Sequence, residues 1–166
     1  MNKPLNLPIL FFSLLLLQVF ILNNILFLGY INPYLYIAFV FLYPLKENRI
    51  PFLFYSFLLG VSVDFFSDSG GIHAFSIIVI AYVRLFFVRL YFRKVVADYP
   101  FFNLKSEAFG KVFNYVTTLT IIHHLIYFSF INFSFQNISV VLLNTLYSSI
   151  FTLILFFLGT YIFTKK

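Results

Sequence analysis

Acidic, hydroxyl and imidazole side chains gather in one short segment, from Gly60 to Ala74, of an otherwise apolar chain. Asp64 and Asp68 could share a proton, as the paired carboxylates of aspartyl proteases do. Ser69 and His73 could supply a nucleophile and a base. The spacing argues against both reactions, because the two aspartates lie in one turn and no G-x-S-x-G elbow surrounds the serine. We therefore predict no catalytic residues.

The same segment has two other interpretations, structural and functional. Gly70 and Gly71 permit a tight turn with positive φ, and Ser67, Asp68 and Ser69 can cap the helix that follows. A carboxylate inside an apolar helix is unfavourable unless it is paired or hydrated, and Asp64 lies in such a helix. The segment is thus either a well-capped polar hairpin or a notch that binds a partner or a ligand.

Two further groups of polar residues lie in the apolar stretches near the C-terminus. His123 and His124 fall near the middle of one stretch, where a histidine is a candidate proton relay or a neutral ring hydrogen-bonded to a neighbouring helix. Asn144, Ser148 and Thr152 follow at i, i+4 and i+8 on one helical face. Such a stripe favours helix packing, with interhelical hydrogen bonds.

Arg84 also lies inside an apolar stretch, and Asp64 is the other charge at membrane depth. Arg84 either extends towards the cytoplasmic surface or faces the interior and finds a partner there. A direct pair with Asp64 would need a strong tilt or a break in a helix. Gln18, Asn23 and Asn24 prefer either a protein-facing environment or the lipid headgroups, and the sequence leaves this choice open.

Membrane-spanning helices must position these residues. The chain has 166 residues, of which 62% are hydrophobic and 10% charged, against about 25% charged in soluble domains. The hydropathy predicts an all-α, six-helix transmembrane bundle in one membrane domain over 1–166. Its spans are predicted at 8–28, 33–45, 50–66, 72–91, 112–133 and 138–164. The second span is short, at about 20 Å of helix, so it is tilted less than its neighbours, thins the bilayer or is re-entrant.

The basic residues predict the orientation of the bundle. All eleven Lys and Arg residues can be placed on one side, nine in the loops and termini that six spans put there and Arg84 and Arg89 within the fourth span, which indicates that both termini are cytoplasmic. The net charge of +6 lies in short loops beside apolar spans, which favours contact with anionic lipid and argues against nucleic acid. The absence of cysteine excludes disulfides and thiolate ligands. With three histidines and five acidic residues, we expect no metal centre and no cofactor.

The segment around Asp64 resembles the motif of the rod shape-determining protein MreD family, roughly G-L-x-x-D-x-x-x-x-x-P-L-G-x-x-A. Gly60, Asp64, Gly71 and Ala74 fall on this pattern, while Ser69-Gly70 replaces its frequent Pro-Leu. The chain length, the six-span layout and the basic linker after the fourth span are also similar to the family, so the resemblance covers essentially the whole chain.

The resemblance implies a non-enzymatic scaffold or regulator of the bacterial cell-elongation complex, in the inner membrane. Its partners would be an MreC-like bitopic protein, a RodA-like glycosyltransferase, a penicillin-binding transpeptidase and the actin-like MreB. The implied fold is similar to the six-helix substrate-binding subunits of vitamin transporters. The candidate partner-binding residues are Gly60, Asp64, Asp68, Gly70, Gly71 and His73.

That similarity provides the alternative function, a substrate-binding subunit of a small-solute transporter. Asp64, Asp68 and His73 would then line an outward-facing pocket. The first span is rich in Leu and Phe and lacks the small-residue pattern by which such subunits contact their energising module, which counts against this alternative.

Overall fold

The computed structural model describes residues 6–25, 31–46, 48–95, 98–99, 102–132 and 138–164. This part of the chain is all-helical and contains six α-helices. They are α1 (Leu7–Leu16), α2 (Ala38–Leu42), α3 (Ile50–Ser67), α4 (Ile72–Phe92), α5 (Phe109–Ile131) and α6 (Ile138–Thr164). Successive helices from α3 to α6 pack side by side, and α1 and α2 pack against α3 and α4.

Four helical stretches are long and apolar enough to cross a membrane. They are Leu7–Asn24, Ile50–Ser67, Ile72–Phe92 and Ile138–Ile162, with mean hydropathies from 1.6 to 2.1. The outward faces of these stretches carry exposed Phe, Leu and Ile side chains, as expected where lipid replaces water. Helix α5 is as long, with 23 residues, but its Thr, Asn and His residues lower its hydropathy and it falls outside this set.

Helix α1 continues through a π-helical turn, Leu17–Ile21, and a 3-10 turn, Leu22–Asn24. A π-helical turn rotates the side chains that follow relative to a regular helix. Gln18 in this turn is fully buried, while Phe20 is exposed to the outside. The predicted end of the first span, at residue 28, lies outside the described residues.

The predicted second span, 33–45, is helical only from Leu35 to Leu42 and is therefore shorter than we expected. Backbone without a regular helical pattern precedes it from residue 31, and the chain leaves α2 with Tyr43 at ψ 134°. The following Pro44 explains this end, because a residue before proline prefers the extended conformation. We call residues 31–43 the buried segment, since most of its side chains have little contact with the outside.

Helices α3 and α4 form a hairpin with an unusually close approach. A Cβ atom added to Gly60 on α3 would lie 2.5 Å from the Cα atom of Ala74 on α4. No side chain larger than hydrogen fits at that position without moving the backbone of α4. The two helices can therefore meet closely about two turns before the hairpin loop.

Candidate functional site

Asp64 lies on the last full turn of α3 and is 7% exposed. Its Oδ1 atom accepts hydrogen bonds from the Ser69 hydroxyl, at 2.5 Å, and from the His73 backbone N–H, at 2.9 Å. Its Oδ2 atom accepts one from the Ala74 N–H, at 2.8 Å. The first N–H groups of a helix have no partner within that helix, and the helix dipole favours a negative charge beside them. Asp64 thus caps α4 from the preceding helix.

The prediction that Ser67, Asp68 and Ser69 cap α4 is wrong. Asp68 is exposed and left-handed, with φ 49°, and ends α3 by donating its N–H to the Asp64 carbonyl. The Ser67 hydroxyl accepts a hydrogen bond from Asn23, and the Ser69 hydroxyl donates to the Asp64 carboxylate. The N–H groups of His73 and Ala74 at the start of α4 bond instead to the carboxylate of Asp64, one turn earlier than Asp68.

The remaining motif residues contribute to the same contact between the end of α3 and the start of α4, which we call the joint. Gly70 and Gly71 have φ values of 65° and 95°, which glycine adopts without steric cost. Gly60 precedes Asp64 by four residues, so both lie on the face of α3 that meets α4. Gly60 admits the backbone of α4, and Asp64 accepts hydrogen bonds from the first N–H groups of that helix. The glycine–aspartate spacing therefore describes one close, capped contact between α3 and α4.

A chain of polar rings crosses the core beside this joint. The Tyr36 hydroxyl of the buried segment lies 3.0 Å from His73 Nδ1 on α4 and 2.7 Å from His123 Nε2 on α5. All three side chains are at most 1% exposed. A tyrosine hydroxyl can donate to one imidazole and accept from the other. Tyr36 thereby joins the buried segment to both α4 and α5.

His124 makes its own contacts on the next position of α5. Its Nδ1 lies 2.8 Å from the carbonyl oxygen of Thr120 and must donate to it, and its Nε2 lies 3.3 Å from the Thr152 hydroxyl of α6. This arrangement matches the second interpretation of the histidine pair, hydrogen bonding to a neighbouring helix. The proton-relay role of His123 and His124 stays a prediction.

On α6, the predicted polar stripe faces the interior to different degrees. Ser148 is fully buried and Thr152 is 1% exposed, whereas Asn144 is half-buried. Thr152 accepts the backbone N–H of Tyr34, at 3.0 Å, and its single hydroxyl proton can go either to the Ser148 carbonyl, at 2.8 Å, or to His124 Nε2, at 3.3 Å. Thr152 thus holds the buried segment and α5 as well as packing α6 against them.

The start of the buried segment is held in the same manner by α1. Gln18 donates to the carbonyl of Pro33, at 3.1 Å, and accepts the N–H of Tyr36, at 3.3 Å. Gln18 also donates to Asn23, which in turn donates to Ser67 at the end of α3. These contacts resolve the choice that the sequence left open for Gln18 and Asn23, since both face other parts of the protein.

Arg84 holds the other end of the buried segment. It faces the interior, is 2% exposed, and donates from Nη2 to the carbonyls of Tyr43 and of Phe41, the latter at 3.5 Å. Its Nε donates to the Tyr115 hydroxyl, at 3.1 Å, and its guanidinium carbon lies 4.9 Å from the centroid of the Phe52 ring. The partner of Arg84 is therefore the end of α2, and a pair with Asp64 is not formed.

Gln18, Arg84 and Thr152 share one task. Each bonds to backbone groups near the ends of the buried segment, which its short helix leaves without partners. Irregular backbone at membrane depth has the same requirement. Sequence reasoning missed Tyr36, Tyr115 and the role of Gln18. Within the described residues, no group of three His, Asp or Glu side chains could hold a metal ion. No protein-family model, curated protein or solved structure matches this chain.

Proposed function

We propose that this chain is a membrane scaffold of the MreD family that serves the bacterial cell-elongation complex. The observation that carries the proposal is the meeting of Gly60, Asp64, Gly71 and Ala74, which match the family motif, at one joint between α3 and α4. Each matched residue has a defined part in that joint, since Gly60 admits the backbone at Ala74, Asp64 accepts the Ala74 N–H, and Gly71 adopts the left-handed turn. This shared geometry supports treating the motif as a real resemblance.

The proposed topology has six crossings, with both termini in the cytoplasm and the protein in the inner membrane. The four apolar stretches supply four crossings, and α5 supplies a fifth. The sixth is the buried segment, whose eight helical residues and extended flanks would reach about 30 Å if it runs straight. That distance equals the hydrocarbon thickness of a typical bilayer. The positions of the basic residues support this orientation.

The proposal assigns the protein a binding role because of how its buried charges are used. Both carboxylate oxygens of Asp64 accept hydrogen bonds from the α4 joint, and Arg84 donates to the end of α2. Charges used in this way stabilise a particular arrangement of helices. A rigid bundle with apolar outer faces is suited to bind the transmembrane helix of an MreC-like bitopic protein. RodA-like, transpeptidase and MreB-like components would join through that complex.

The test is affinity purification of the full chain from native membranes, followed by mass spectrometry. Recovery of an MreC-like bitopic protein with wall-synthesis enzymes would support the proposal. Recovery of paired ATPases with a coupling subunit, or of a bound vitamin, would overturn it in favour of transport.

Two matched variants sharpen this experiment. Asp64→Asn and Asp68→Asn each remove one negative charge from the same hairpin, but Asp64 is buried in the joint and Asp68 is exposed. We expect Asp64→Asn to reduce the recovery of partners at equal protein level. A strain that carries only the Asp64→Ala variant should lose its rod shape, although the variant still inserts into the membrane. Normal rods at normal protein level would contradict this role.

A further inference from the structure

A cavity of about 490 Å³ opens at one end of the bundle, between α5, α6 and the linker that precedes α5. Its apolar lining includes Leu42, Phe109, Phe156 and Phe157. The rings of Phe109 and Phe157 lie 5.5 Å apart. The volume falls within the range of about 300–1,000 Å³ typical of ligand pockets.

The position of the cavity places it at the boundary between lipid and water. It lies beside the first turn of α5 and near the last two turns of α6, so it is close to the ends of both helices. The neighbouring outer face of α6 carries exposed apolar side chains, including Ile154 and Leu158, as expected for contact with lipid tails. The opposite rim is formed by the polar linker, residues 104–107.

The rim of the cavity carries a net positive charge. Lys105 and Glu107 both line it, and Glu107 is paired with Lys94, whose Nζ lies 3.2 Å from the carboxylate. Lys105 is exposed and has no acidic partner among the residues that the structure describes. Lys111 is exposed in the first turn of α5. The site therefore combines an apolar interior with one unneutralised cation, Lys105, at its mouth.

We infer that this cavity binds one acyl chain of an anionic phospholipid, whose headgroup contacts Lys105. A phospholipid is the occupant that presents an apolar chain and a negative headgroup together at this depth. A cation near a membrane surface attracts anionic lipid by about 1 kcal/mol, which corresponds to roughly a fivefold preference. The inference depends on the membrane location of the chain and is independent of its protein partners.

The test is native mass spectrometry of the full chain purified in detergent, with phosphatidylglycerol or phosphatidylcholine of identical acyl chains added. We expect one retained lipid with a preference for phosphatidylglycerol. Lys105→Gln should reduce that preference about fivefold. Arg89→Gln removes the same charge from the exposed face of α4 and should leave the preference unchanged.

A second pair of variants tests the acyl-chain site itself. Leu104 lines the cavity and is half-buried, so Leu104→Trp should fill space there and lower retention of both lipids. Leu90→Trp, on the exposed face of α4, is the matched control and should retain lipid. Equal retention of the two lipids by the unmodified chain, or unchanged retention in Leu104→Trp, would overturn the inference. If Leu104→Trp fails to fold, the surface substitution Lys105→Gln still decides it.

Discussion

Asp64→Asn should destabilise the α3–α4 hairpin by about 2–4 kcal/mol. Asparagine retains one acceptor oxygen, so one of the two N–H groups at the start of α4, those of His73 and Ala74, loses its partner. A buried polar group without a partner costs about 1–3 kcal/mol. The lost interaction between a negative charge and the helix N-terminus adds about 1 kcal/mol. Asp64→Ala should be at least as destabilising, because both N–H groups and the Ser69 hydroxyl lose their acceptor.

Asp68→Asn is the control, since it removes the same charge four residues away. Asp68 is exposed and left-handed, and asparagine tolerates that conformation, so the stability should change by less than about 0.5 kcal/mol. The measurements are unfolding of the purified protein in detergent and amide hydrogen exchange at His73 and Ala74. Exchange at these two amides should become faster in Asp64→Asn only. Equal stability and equal exchange in the two variants would refute the capping role of Asp64.

Three further substitutions test other contacts by the same unfolding assay. Gly60→Ala places a methyl group against the backbone of α4 and should lower the free energy of unfolding by about 1–3 kcal/mol. Gly159→Ala is the control, because the space around Gly159 is open, and it should be neutral or stabilising. A neutral Gly60→Ala would contradict the close approach of the two helices. Arg84→Met leaves buried carbonyls without a donor and should lower the free energy of unfolding by about 2–4 kcal/mol. Arg89→Met, on the exposed face of α4, should have little effect. Similar losses in both variants would refute the special role of Arg84. Gly71→Val forces a branched side chain to φ 95° and should lower the melting temperature. Gly71→Asn should lower it less, because asparagine adopts left-handed conformations more readily. An unchanged melting temperature in both variants would count against a strained turn.

The long apolar helices could be predicted well from the sequence. The predicted spans beginning at 50, 72 and 138 correspond to helices that begin at Ile50, Ile72 and Ile138. Their boundaries are marked by polar or glycine-containing turns, and their composition is uniform over 18 residues or more. Length and hydropathy suffice for such elements, because lipid imposes the same requirement on every residue of the span.

The buried segment could not be predicted in the same way. Residues 33–45 are nearly all apolar, and such a run fits a helix or an irregular strand buried on all sides equally well. Two of the partners of Arg84 are carbonyl oxygens, which every residue possesses, so the sequence gives no sign of which ones it binds. Tyr36 and His123 are 87 residues apart, and nothing local to either predicts that they touch.

For the candidate site, the sequence predicts the turn between α3 and α4 but not which side chain caps α4. Gly70 and Gly71 have the left-handed conformations that the sequence predicts, and the functional role of the segment from Gly60 to Ala74 stays a prediction. The capping role was assigned to the wrong aspartate. A sequence-local rule looks for a cap immediately before a helix, whereas a hairpin allows the preceding helix to supply it from one turn further back.

The buried segment also has a consequence for how the chain is made. An isolated stretch with unpaired backbone groups cannot enter the bilayer as an independent unit, because each such group costs several kcal/mol in hydrocarbon. Its partners Gln18 and Arg84 are synthesised on either side of it, and Thr152 emerges last. If the segment crosses the bilayer as proposed, we expect it to remain near the insertion machinery or the interface until α6 is complete. A ribosome-stalled chain ending before α6 should leave it accessible to water.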